Sequence, residues 1–118
     1  MSVAVITGAG QGIGRAIAIA FSMRDTRVVI ADIDGGGASK VEREIQNLGK
    51  KALAIEADVS SERSVTLMIK RTLEEFGTID VLVNNAGIYP ASSIEELTDQ
   101  SWDRVIGTNQ RSDRKSVV

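Results

Sequence analysis

The sequence has no cysteine, no histidine and a single proline, and its aromatic residues are one tryptophan, one tyrosine and two phenylalanines among 118 residues. Without cysteine there is no disulfide framework and no thiol nucleophile. Without histidine there is neither a Ser-His-Asp triad nor a histidine-based zinc site, and no metal is expected. The net charge is only -2 and no basic block stands out, which points away from nucleic acid as a partner. No apolar run approaches the ~18 residues of a membrane span, and a strand pattern begins at Val3, so neither membrane nor signal peptide is expected. The location expected from this is cytoplasmic, and the partner a small molecule.

What is present is an alternation of strands and helices. "VAVIT" ends in a glycine cluster, and "GRAIAIAFSM" then sets Ala16, Ile17, Ala20 and Phe21 at helical spacing. "RVVIAD" is a continuous apolar run of the kind covered on both faces. The next helix is predicted in "SKVEREIQNLG", with Ser39 and Glu42 as a capping box, Val41, Ile45 and Leu48 on one stripe, and Gly49 as its cap. The triple glycine at Gly35 to Gly37 reads as a mobile loop rather than a second phosphate site. "KALAIEAD" gives a third strand. A helix follows in which Val65, Met68, Ile69, Leu73 and Phe76 face inward, stopped by Gly77. "IDVLVNNAG" is the fourth strand, and beyond Pro90 Thr98 can cap a helix carrying Trp102, Val105 and Ile106. This order predicts an α/β fold, a parallel sheet of about four strands with helices on both faces and right-handed crossovers.

"TGAGQGIG" does not fit G-x-G-x-x-G in any register, but it fits T-G-x-x-x-G-x-G. Gly8, Gly12 and Gly14 would let the chain turn sharply and bring helix N–H groups to a pyrophosphate. A P-loop is disfavoured, because Arg15 and Ala16 stand where Lys and Ser or Thr would be needed. Asp32, 18 residues after Gly14, ends the second strand, where a carboxylate can accept from ribose hydroxyls. Its charge would repel a 2′-phosphate, and Gln11 offers no cation, so NAD is expected and NADP disfavoured. Asp34 lies further into the loop and suits the role less well. A tight turn and an exposed strand-end acid remain the plain alternatives.

Glycine turn, strand-end acid, "ADVS" and "NNAG", in this order, resemble the short-chain dehydrogenase/reductase family, Rossmann-fold oxidoreductases that use NAD(P). The resemblance spans residues 1–109 and implies hydride transfer between a nicotinamide and an alcohol or ketone in a homo-oligomeric full-length enzyme. It implies Asp58 as partner of the adenine amino group and Val59 beside the ring. Asn85, Ala86 and Gly87 would lie along the cofactor's ribose side, and Gln11, Ile13 and Ile33 join the cofactor-binding set. Asn109 resembles the family's helical asparagine behind the proton relay. Asp25 stands where the family usually has glycine, and Asp tolerates left-handed geometry better than most residues.

The family's chemistry needs a serine and a Tyr-x-x-x-Lys pair, in which the lysine lowers a tyrosine pKa that is otherwise about 10. The only tyrosine is Tyr89, with Ser93 where the lysine should stand, and beyond Lys70 the only lysine is Lys115. The expectation is an N-terminal part of an enzyme about twice as long, without dehydrogenase activity alone, with poor NAD affinity and with an apolar edge on the fourth strand. The substrate is undetermined. A non-catalytic nucleotide-binding module is the second reading, and a methyltransferase using S-adenosylmethionine, unsupported by "NNAG", the third. Residues 110–118 leave the family pattern and show no clear strand. One back-translation of Asp113 to Val118, GAT CGG AAG AGC GTC GTG, is a common sequencing adapter, so these last six residues are expected to be read-through, while the origin of residues 110–112 is left open.

Overall fold

The structure, a computed structural model, describes residues 1–85 and the backbone of residues 116–117. Five strands form one sheet in the order β3-β2-β1-β4-β5, and every pairing is parallel. The strands are β1 (Ser2–Thr7), β2 (Thr26–Asp32), β3 (Ala52–Glu56), β4 (Val81–Asn84) and β5 (Ser116–Val117). The helices are α1 (Gly12–Ser22), α2 (Gly35–Asn47) and α3 (Glu62–Phe76).

The continuous apolar runs of β1 and β2 are explained by burial on both faces. Val5 and Val29 point into a core with Val65, Met68, Ile69 and Leu73 of α3. Ala4, Ile6, Val28 and Ile30 point the other way, toward Ala18 of α1 and Val41 and Ile45 of α2. Fully burying each such branched side chain contributes about 1.5–3 kcal/mol. Asp80 anchors the entry to β4: its carboxylate accepts from Val3 N at 2.8 Å, and its own N–H donates to the Val3 carbonyl at 2.9 Å. Among the described residues no helix is long and apolar enough to cross a membrane.

Three local expectations are corrected. The triple glycine is not a loop: it forms the first turn of α2, because Asp34 caps the helix by accepting from Gly37 N at 3.1 Å. A Cβ on Gly35 would meet only the movable, exposed Glu56 side chain, at 2.8 Å from Oε1, so the cap rather than packing accounts for the helix start. The helix therefore starts four residues before Ser39, and Leu48 is 54% exposed rather than inward. In α1 the buried stripe is Gly14, Ala18 and Ser22, whereas Ala16 and Ala20 are exposed and Ile17 and Phe21 half-buried. Small residues let that helix approach the sheet closely. Finally, Ser116 and Val117 form a short strand that pairs with Val81 and Leu82, so the tail does contribute a strand and the edge of β4 is partly covered. An unpaired edge readily accepts such a segment.

Other local signals hold. Gly49 and Gly77 end their helices at φ +79° and +81°, and Asp25 stands at φ 58°, the left-handed geometry expected where glycine is usual. The structure adds Ser61 as the cap of α3. The helix expected around Thr98 to Asn109, with Trp102, Val105 and Ile106, lies outside the described residues.

Candidate functional site

Between β1 and α1 the chain reverses at the C-terminal edge of the sheet. Gly8 and Gly12 adopt φ of +64° and +61°, which favours glycine at both. Gly14 is required for space instead. A Cβ there would overlap the Gly8 carbonyl oxygen and lie 2.6 Å from Asn85 Nδ2. The first turn of α1 thus rests directly on the glycine turn, and Asn85 fixes that turn by donating from Nδ2 to Gly8 O at 3.2 Å. Thr7 Oγ1 joins β1 to β4, accepting from Asn85 N at 3.0 Å.

Gln11 is the N-cap of α1, in extended conformation, and its side chain makes no capping bond; the first turn carries no acid. The amides that open α1 are therefore not satisfied by a side-chain cap, and the positive end of the helix dipole faces outward uncompensated. Such an end suits an anion. The nearby guanidinium of Arg15 is engaged elsewhere, in an ion pair with Glu44 of α2. This pairing raises the Arg15 pKa and holds the Glu44 carboxyl below the usual carboxylate range.

Asp32 ends β2 with both oxygens held. Oδ2 accepts from Gly10 N at 2.8 Å and Oδ1 from Asp34 N at 2.9 Å. The acid is thereby fixed between the glycine turn and the start of α2, with lone pairs remaining on each oxygen for further donors. Asp34 itself serves as the α2 cap. At the end of β3, Ala57 N donates to the Asp32 carbonyl at 2.9 Å, bringing the next residue alongside. Asp58 Oδ1 accepts from the Ser60 hydroxyl at 2.6 Å and from the Ser60 amide at 2.9 Å. These two bonds, the hydroxyl's first, hold the Asp58 carboxyl below the usual carboxylate range.

The strand ends enclose a cleft of about 300 Å³, lined by Gly8, Gln11, Asp32, Ile33, Ala57, Asp58, Val59 and Asn85. Among the described residues its lining contains two carboxylates and no cation. It lies where the connection from β1 to β2 runs one way and the neighbouring strand β4 lies on the other side, the switch point at which open α/β sheets bind ligands. Seven expected residues meet there: Gly8, Gln11, Asp32, Ile33, Asp58, Val59 and Asn85. Gly12 and Gly14 shape its floor without lining it, and Ile13 stands 74% exposed on the first turn of α1. Ala86, Gly87, Tyr89 and Asn109 lie outside the described residues.

Two contributors escaped the sequence reading, Gly10 and Ala57. The signal for Gly10 was a residue without a side chain midway through the turn: a Cβ there would lie 2.9 Å from Asp32 Oδ2. Ala57 opens the "ADVS" motif, but it acts through its backbone N–H, which donates to the Asp32 carbonyl and which the motif does not display.

Comparison with known proteins agrees with this geometry. Residues 2–113 match the short chain dehydrogenase family. The chain is 43% identical over 107 residues to an uncharacterized oxidoreductase of Thermotoga maritima, covering 91% of this chain and 42% of that protein. It is 39% identical over 110 residues to versicolorin reductase stcU of Emericella nidulans, covering 92% and 42% respectively. Among solved structures it resembles a 7 alpha-hydroxysteroid dehydrogenase complexed with NADH and 7-oxo glycochenodeoxycholic acid, with a TM-score of 0.76 and 31% identity over 87% of this chain and 49% of that one. The chain thus spans under half the length of these curated relatives, and over that span it belongs to the short-chain dehydrogenase family.

Proposed function

We propose that this chain forms the adenosine- and pyrophosphate-binding part of an NAD(H)-dependent dehydrogenase or reductase that acts on an alcohol or ketone. The observation that carries the reading is the clamped Asp32 carboxylate beside an α1 N-terminus with no side-chain cap. The residues present fit a dinucleotide. Gly12, Ile13 and Gly14 would offer their amides to the pyrophosphate, and the space that a Cβ on Gly14 would fill is needed for the turn itself. Asp32 would accept from the adenosine ribose hydroxyls, with Ile33 and Val59 as apolar neighbours and Asp58 as acceptor for the adenine amino group. Ala86 and Gly87 would continue the ribose side, and Asn109 would hold a water for proton transfer. NADP is disfavoured, because its 2′-phosphate would meet Asp32 in a cleft whose lining holds no cation among the described residues.

When bound, a nicotinamide supplies the hydride donor or acceptor. The chain's own residues would hold the adenosine and pyrophosphate of the cofactor but do not complete the proton transfer, since no Tyr-x-x-x-Lys pair occurs in the sequence. That absence also favours a second reading, a nucleotide-binding module without catalysis. By the family reading, the whole enzyme is a cytoplasmic homo-oligomer.

A ligand series tests the proposal. NAD should raise the melting temperature of the purified chain while S-adenosylmethionine leaves it unchanged, and NAD with a panel of alcohols should give no NADH. Stabilisation by S-adenosylmethionine alone would replace the dehydrogenase reading with the methyltransferase one. Turnover above a no-protein blank would show that the chain carries a proton relay of its own.

A further inference from the structure

The outer edge of the sheet is β3, and two side chains of α2 reach it. Glu42 Oε2 accepts from Ala54 N at 2.7 Å, and Gln46 Nε2 donates to the Ala52 carbonyl at 3.3 Å. Both backbone groups point away from β2. Lys51 O bonds Val28 N and Ala57 N bonds Asp32 O, so the odd-numbered residues face β2 and the even-numbered ones present their backbone outward. Glu42 and Gln46, one helical turn apart, thus occupy the positions that a neighbouring strand would use. Such an edge otherwise pairs with any strand that fits.

The strand that fits is another β3. Lys50 and Lys51 precede the strand and Glu56 ends it, with only small or apolar residues between. An antiparallel copy would set the lysines of one chain near Glu56 of the other, whereas a parallel copy would set like charges together. Ala52 and Ala54 carry too little bulk to obstruct the approach. An antiparallel contact between identical strands has two-fold symmetry and closes at a dimer.

We propose that Glu42 guards the β3 edge against pairing with a second copy of this chain, and that an antiparallel β3–β3 contact is the interaction it holds off. A partner strand must displace the Glu42 carboxylate from Ala54 N before the ladder can form. The contact lies on the outer strand and does not depend on the proposed cofactor chemistry.

Glu42→Ala should strengthen dimerisation about tenfold by sedimentation equilibrium, the scale of one charge-assisted hydrogen bond. Carbodiimide coupling of a mixture of isotopically light and heavy chains should then join Lys50 or Lys51 of one copy to Glu56 of another. Glu42→Gln keeps an acceptor oxygen and should stay near the native association constant. Ala54→Pro added to Glu42→Ala removes the outward N–H without touching the β2 ladder and should abolish the dimer. Gln46→Ala, which removes only the other outward bond, should raise association in the same direction and covers the case in which Glu42→Ala folds poorly. Association unchanged in both alanine variants, cross-links that avoid these residues, or a dimer that persists with Ala54→Pro would overturn the proposal.

Discussion

The Gly10 amide and the Asp32 carboxylate lie 2.8 Å apart, so the acid that ends β2 is tied to the glycine turn that follows β1. The two features most informative in the sequence are one structural unit. Gly10 matters because it has no side chain: a Cβ there would lie 2.9 Å from the same Oδ2 that accepts its N–H. Gly10→Ala should therefore displace Asp32 and weaken NAD binding several-fold, about 1 kcal/mol, with a smaller effect on stability. Calorimetric titration beside a melting curve separates the two effects, and unchanged affinity would show that the clamp does not position the acid.

At Gly14 the obstacle is backbone rather than a movable side chain. Gly14→Ala must push α1 away from the Gly8 carbonyl, and overpacking of this kind costs about 1–3 kcal/mol. A clear drop in urea midpoint is expected, together with loss of nucleotide binding. A native midpoint would mean that α1 has room to shift.

Asp25 holds left-handed backbone at φ 58° between α1 and β2. Asp25→Gly should stabilise the chain by about 0.5–1 kcal/mol, less whatever glycine adds to the entropy of the unfolded state. The readout is a melting temperature higher by a few degrees. A lower one would mean that the side chain contributes more than the strain costs.

Asp58 supplies a pH test. Its pKa is lowered in the folded chain by the Ser60 hydroxyl and amide, so the stability linked to it is fully present above the ordinary carboxylate value near 4 and is lost as pH falls through the depressed one. Ser60→Ala removes the stronger bond. It should lower the melting temperature at pH 7, and the gap from the native chain should close as the pH falls through the depressed carboxyl pKa. A gap that widens with acid would reverse the assigned sign.

Much of this fold is legible residue by residue. Val65, Met68, Ile69 and Leu73 are buried where their spacing placed them, and Gly77 stops α3 as read. In α1, however, apolar character misleads: Gly14, Ala18 and Ser22 are buried because close helix–sheet approach demands small size, not hydrophobicity. The start of α2 was hidden by the poor helix propensity of Gly35 to Gly37, which the Asp34 cap overrides. At the site, Asp32, Asp58 and Asn85 were visible as motif residues. Gly10 and Ala57 act through backbone N–H groups, which sequence patterns do not display.

The most direct test of the account is calorimetric titration of the native chain and Asp32→Ala with NAD and NADP. Weak binding overall is expected, with NAD preferred over NADP by about tenfold or more in the native chain and the preference lost in Asp32→Ala. Equal affinity for the two cofactors in the native chain, or a preference that survives removal of the carboxylate, would contradict it.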